Sequence, residues 1–248
     1  MIIAAVNYLN TLPFIYGIEQ AAPGLRAALR VVVPAACADY IIRGEADISL
    51  VPTAEIPKIP GGKIITDFCL SADGEVSTVA LLSNTRLPQI HTVYLDSHSR
   101  TSVQLARILA REYWNISPRW VDSEVLSKSL EPGEAIVAIG DKVFDLEKTV
   151  QYKTDLGADW KAHTGLPFVF AAWVAKTPAG REAADELNAA LHFGTTHVGD
   201  SIAGTWNREK DYDYDTAYEY LTRNIQFDLN GSKHKAMKLF WEKIITPG

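Results

Sequence analysis

Ile2-Ile3-Ala4-Ala5-Val6-Asn7-Tyr8-Leu9-Asn10-Thr11-Leu12-Pro13 opens the chain as an apolar run, interrupted at Asn7 and Asn10, that leads into a helix. No basic residues precede the run and no clear small-residue cleavage site follows it, so it reads as a buried first strand and not as a signal peptide. The polar residues sit where strand passes into helix. Asn10 and Thr11 are there either to cap the helix or to face a ligand.

The same unit recurs down the chain. Short runs rich in β-branched residues alternate with helical patterns, which predicts a layered α/β protein with a largely parallel sheet. The predicted strands are 2–6, 30–33, 46–51, 76–82, 92–95, 119–121, 135–139 and 168–174. Pro34 and Gly44 bracket a helix between the second and third of these, following the preference for Pro at a helix start and Gly just past its end. After Ser99, Val103, Ala106, Leu109 and Tyr113 form one apolar stripe, which leaves Arg107 and Arg111 on the solvated face. Near the end, Ala236, Leu239, Phe240, Lys243 and Ile244 read as a docking helix with Lys243 reaching outward. Loop signals at 84–89 and 176–180 predict two lobes. The first is discontinuous, residues 1–84 and 175–248, and the second is 85–174.

Composition fits this picture. Of 248 residues, 47% are hydrophobic and 22% charged, which excludes disordered and collagen-like sequence and matches an ordinary globular enzyme or binding protein. A chain of this length buries roughly 70–75% of its unfolded surface, so a core forms without disulfides. The two cysteines, Cys37 and Cys69, are far apart and read as buried free thiols. No apolar run approaches the ~20 residues of a membrane span, and a cytoplasmic location is expected. With 24 Lys and Arg against 30 Asp and Glu, the formal net charge is -6. Nucleic acid is therefore excluded as an expected partner, and an anionic ligand must be met by local donors. The sequence sets no oligomeric state.

Nucleophile elbows, phosphate loops, dinucleotide fingerprints and zinc-protease motifs are all absent. The six histidines show no ligand spacing, so no metal and no cofactor are expected. The polar strand-to-helix junctions remain. Asp96-Ser97-His98-Ser99-Arg100-Thr101-Ser102 combines hydroxyls, a guanidinium and a helix N-terminus, which suits a carboxylate; a Ser cap with Arg100 in a surface ion pair suits it equally. Asp141, after Ile139-Gly140, is either a cap or a polar cleft residue.

Taken together, these segments resemble the chorismate dehydratase family of the futalosine-type menaquinone pathway. The resemblance rests on Val6-Asn7-Tyr8-Leu9-Asn10-Thr11-Leu12-Pro13, the Ser99-Arg100-Thr101-Ser102 stretch, residues 44–52, Ile139-Gly140-Asp141 and residues 164–173, in that family's order. It implies a two-lobed, periplasmic-binding-protein-like (type II) fold with a ligand cleft between the lobes. It also implies a lyase that removes water from chorismate, a dicarboxylate, to give 3-[(1-carboxyvinyl)oxy]benzoate. The family's reacting Asn matches Asn10. Its Gly-Pro-Val-x-Ser segment appears here as Gly74-Glu75-Val76-Ser77-Thr78, so Glu replaces Pro and Thr replaces Ser. If Thr78 lies on a strand, Ser77 points the other way, and only one of the two hydroxyls meets the substrate. The implied catalytic residues are Asn10 and Thr78. The implied substrate-binding residues are Tyr8, Thr11, Ser77, Ser99, Arg100, Thr101, Ser102 and Asp141. Proton removal by the substrate's own enolpyruvyl carboxylate is a further implication. The competing expectation is a non-catalytic solute-binding protein for a small carboxylate, because a fold does not determine a function.

Overall fold

A computed structural model describes residues 1–96, 99–123, 129–205 and 212–245. Ser97 and His98, part of the polar segment quoted above, lie outside the described residues. Among the described residues, eleven strands form two mixed sheets. They are β1 (Ile3–Val6), β2 (Leu29–Val32), β3 (Ile48–Pro52), β4 (Lys63–Ala72), β5 (Val79–Ser83), β6 (Thr92–Asp96), β7 (Arg119–Ser123), β8 (Glu134–Ile139), β9 (Tyr152–Asp155), β10 (Phe168–Ala175) and β11 (Gln226–Asp228). The first sheet has the order β11-β4-β10-β3-β1-β2 and the second β7-β6-β8-β5-β9.

The apolar opening run is a strand buried at every position. It lies parallel to β2 on one side and β3 on the other. The expectation of a largely parallel sheet needs correction, because β10 runs antiparallel between β3 and β4, and β5 antiparallel between β8 and β9. Three strands escaped the sequence pattern. β4 carries Lys63 and Asp67 within an apolar run and pairs with β10 through register shifts, so no clean period of two is visible. β9 and β11 are short, polar and at sheet edges, where pairing and not burial defines them.

The lobe boundaries also shift. β5, expected on the first-lobe side of residue 84, belongs to the second sheet, and β10, expected before the return at 175, lies in the middle of the first. The chain passes between sheets in the segments 73–78 and 156–167. Gly and Pro in the loops at 84–89 and 176–180 mark ordinary turns.

Helices cover the sheets and fix the ends of the strands. The Leu12–Ala21 helix crosses Ala184–Thr196 with the backbones almost touching: a Cβ on Gly17 would fall 2.0 Å from the Ala190 carbonyl oxygen, and one on Gly194 1.7 Å from that of Pro13. A single apolar cluster runs from Ile3, Phe14 and Trp173 through Val79 and Val93 to Trp160 and Phe240, and so joins the two sheets. Phe168 packs edge-on to Trp160 and Phe240, at 5.2 and 5.0 Å between ring centroids, a favoured arrangement of aromatic quadrupoles. Cys37 and Cys69 are buried free thiols, as their spacing suggested.

The predicted docking helix, Gly231–Ile245, adds an electrostatic tie. Lys243 pairs with Glu112, and Arg111, expected to be solvated, donates to both Glu112 and the Lys243 carbonyl. His163 completes the cluster at 3.3 Å from Glu112. Burial works to raise the Glu112 carboxyl, but the bonds from Lys243, Arg111 and His163 outweigh it and lower it from 4.5 to about 2. A depressed carboxylate contributes stability above its unfolded pKa and loses it as pH falls through the folded one. Glu112→Gln should therefore lower the urea midpoint at pH 7, and its difference from the parent should shrink as pH falls from 4.5 towards 2. Equal midpoints at pH 7 would show that the tie contributes nothing.

Candidate active site

A cleft opens where the carboxyl ends of β1 and β8 meet the loop before β5 and the start of the Thr101–Leu109 helix. Ligands of open α/β sheets characteristically bind beyond the carboxyl ends of the strands. With its open mouth counted, the cleft encloses about 580 Å³. Its apolar walls come from Val6, Leu50, Leu70, Val76, Ile139 and Phe170. The polar groups are Tyr8, Asn10, Thr78, Ser99, Arg100, Thr101 and Ser102. Seven of the ten residues expected at the site thus share one cavity. Thr11, Ser77 and Asp141 do not line it.

Each polar group is held by a nameable contact. Asn10 lies in the short turn Leu9–Thr11 that joins β1 to its helix. Thr11, fully buried behind it, donates its hydroxyl to Asn10 Oδ1 at 3.1 Å, so Thr11 orients Asn10 where ligand contact was expected. Asp141 supports the same turn from the other sheet: its carboxylate accepts the Leu9 N–H at 2.9 and 3.2 Å. Neither alternative read from the sequence describes this, because the partner is 132 residues away.

The Ser77 and Thr78 ambiguity resolves through the backbone. Neither residue is on a strand. Ser77 adopts φ 63°, uncommon for a residue with a side chain, and its hydroxyl donates to Glu75 at 3.0 Å. Asp155 holds this turn by accepting the N–H groups of Val76 (3.1 Å) and Ser77 (2.7 Å), and it caps the Leu156–Thr164 helix by accepting that of Ala158 (2.9 Å). Burial raises the Asp155 carboxyl, opposed by those three bonds. Thr78 is delivered to the cavity wall with 1% of its surface exposed.

At the Thr101–Leu109 helix the ion pair of one sequence reading is present, and the groups named by the other line the cleft. Ser99 Oγ accepts the Ser102 N–H at 3.2 Å, as a cap does. Thr101 Oγ1 accepts the Ala54 N–H of the first sheet's loop at 3.2 Å. Arg100 pairs with Asp39 at 3.2 Å and approaches Glu55 at 3.9 Å, and it is 39% exposed. All four residues still face the cavity, so the helix N-terminus and its dipole are directed at it. Any anion drawn to Arg100 would share it with Asp39.

One residue had no sequence signal. Tyr220, 3% exposed, comes from the C-terminal part of the chain and places its hydroxyl 2.6 Å from Thr78 Oγ1. Ala217, Tyr220 and Leu221 are buried at helical spacing, a stripe that reads as core. Burial pushes the phenols of both Tyr8 and Tyr220 up. Asp96 and Asp141 add to the rise at Tyr8; at Tyr220, Asp141 and Asp155 add to it while the hydrogen bond to Thr78 opposes it. Both stay protonated and remain donors at neutral pH. Among the described residues no three of His, Cys, Asp and Glu come together in a metal-ligand cluster.

A family described as menaquinone biosynthesis matches residues 1–245. The chorismate dehydratase of Thermus thermophilus is 28% identical over 159 residues, which span 57% of this chain and 58% of that protein's length. Among solved structures, a protein of Archaeoglobus fulgidus is similar with a TM-score of 0.75 at 11% identity, covering 98% of this chain and 96% of its own. The alkanesulfonate-binding protein of Xanthomonas axonopodis pv. citri, solved with MOPS bound, has a TM-score of 0.64 at 10% identity, covering 100% and 94%. The α/β, binding-protein-like fold expected from the sequence is the fold this chain has.

Gly140 closes the cleft with φ 73°, and a Cβ there would fall 2.8 Å from the Tyr8 ring. Gly44 has a similar φ of 76° with nothing within 4 Å, which makes it the matched control. Both changes to Ala carry the left-handed penalty of about 1 kcal/mol. Gly140→Ala alone should also displace Tyr8, so it is expected to be the more destabilising in urea denaturation; equal losses would show that Tyr8 yields freely.

Proposed function

The chain belongs to the menaquinone biosynthesis family, and from that premise we propose that it is a chorismate dehydratase of the futalosine pathway. The reaction is a hydro-lyase elimination that yields 3-[(1-carboxyvinyl)oxy]benzoate. The ring hydrogen on the carbon bearing the enolpyruvyl ether and the neighbouring hydroxyl leave together as one water, and the ring becomes aromatic. Aromatisation makes the step favourable, so the protein's contribution is to select this route by position and electrostatics.

The supporting observation is that Asn10 and Thr78, from opposite sheets' turns, line one cavity. In this reading Asn10 hydrogen-bonds the leaving hydroxyl, and Thr78 donates to the departing oxygen or to a carboxylate. Ser99, Thr101 and Ser102 at the helix start, with Arg100, receive the other carboxylate. That arrangement supplies local donors to a dianion on a protein of net charge -6. The ring proton is taken by the enolpyruvyl carboxylate, which the apolar walls keep away from water. The two sheets act as lobes that close on the substrate. No helix among the described residues is long and apolar enough to cross a membrane, and the reading places the enzyme in the cytoplasm.

The fold shared with the alkanesulfonate-binding protein favours one second reading, binding of a small carboxylate without chemistry. The purified protein incubated with chorismate separates the two. The dehydratase yields a product lighter by one water with benzoate-like absorbance, whereas a binding protein retains chorismate unchanged. Asn10→Ala and Thr78→Ala should each reduce turnover about 100-fold or more, the size of a lost donor at a developing charge. Parent-like turnover in both variants would remove them from the chemistry.

A further inference from the structure

The cavity wall ends at Thr78, but the hydrogen bonds continue behind it. Among the described residues, the hydrogen bond that the Tyr220 phenol makes is with Thr78 Oγ1, at 2.6 Å. If Thr78 donated, the phenol proton would be left without an acceptor in a site 3% exposed, a costly arrangement without water. One orientation satisfies both groups: Tyr220 donates to Thr78, and the Thr78 proton is directed into the cleft.

We infer that Tyr220 is a positioning residue that holds the Thr78 hydroxyl as a hydrogen-bond donor toward the bound ligand. It does so from the second layer of the wall and touches no substrate. Each donor in the chain polarises the next, which strengthens the terminal one. A threonine hydroxyl left to itself rotates among donor and acceptor roles, and an anionic or oxyanionic ligand profits only from the first. Burial raises the Tyr220 phenol, with Asp141 and Asp155 adding to the rise, so the phenol keeps its proton and the chain its direction across neutral pH. The catalytic consequence rests on the dehydratase reading; the direction of the hydrogen bonds does not.

Two measurements test these separately. Neutron crystallography of the ligand-free protein should show the Tyr220 deuteron on the line to Thr78 Oγ1 and the Thr78 deuteron facing the cleft. A Thr78 deuteron on the line to Tyr220 overturns the inference. In chorismate turnover, Tyr220→Phe should lower kcat roughly tenfold, the worth of one such bond, with KM little changed. Combined with Thr78→Val, which removes the hydroxyl, Tyr220→Phe should cost nothing further, while in a Thr78→Ser background it should cost the same factor as in the parent. A purely structural tyrosine would reduce activity equally in the Val and Ser backgrounds, and that result also overturns the inference. If the parent leaves chorismate unchanged, the dehydratase reading falls and the deuteron positions alone decide.

Discussion

Buried backbone N–H groups must find acceptors once water is excluded, and around this cleft aspartates from distant segments supply them. Asp155 accepts the N–H groups of Val76 and Ser77 and thereby bends the chain between Val76 and Thr78. Asp141 accepts the Leu9 N–H across the two sheets. Without the first, Ser77 has no reason to hold a positive φ, and Thr78 is not delivered to the wall. Without the second, the turn bearing Asn10 is not tied to β8. Removing an acceptor from such a site leaves a donor stranded, at a cost of roughly 1–3 kcal/mol each, so these carboxylates hold the cleft in shape although neither faces it.

The distribution of charge follows from the same requirement. Acidic groups lie behind the wall, bonded to backbone, and the groups that face the cleft are hydroxyls, an amide, a guanidinium and a helix N-terminus. A ligand carboxylate thus meets donors although the chain is acidic overall. Arg100 is shared with Asp39 and Glu55, so its charge is already balanced before a ligand arrives. The gain from pairing it with a ligand is the difference between two carboxylate partners and not a full ion pair.

Much of the frame was legible in the chain. The eight expected strands exist, because continuous β-branched runs between helical patterns are local signals that burial on both faces reinforces. The strands that escaped, β4, β9 and β11, owe their conformation to neighbours: β4 is charged at Lys63 and Asp67, and the other two are short polar edges. The lobe boundaries were displaced for a related reason. Gly, Pro and Asn mark turns, but whether the strand after a turn joins one sheet or the other is a question of pairing. Of the residues expected at the site, Tyr8, Asn10, Thr78 and residues 99–102 line one cleft. Thr11, Ser77 and Asp141 proved to be supports, since residue type shows that a group needs a partner and not which partner it takes. Tyr220 was invisible, as a buried tyrosine on an apolar stripe resembles any core aromatic.

The sequence by itself determined the alternation of strands and helices, the polar junctions at Asn10 and Ser99–Ser102, and the family resemblance those junctions carry. Periodicity and turn chemistry are properties of a few adjacent residues, and they survive in one dimension. Only the tertiary structure decided that the sheets are mixed, that Thr78 and not Ser77 faces the cleft, and that Tyr220 stands behind it. Each of those depends on a hydrogen bond or strand pairing between segments far apart in the chain, and such partners are chosen only when the chain has closed on itself.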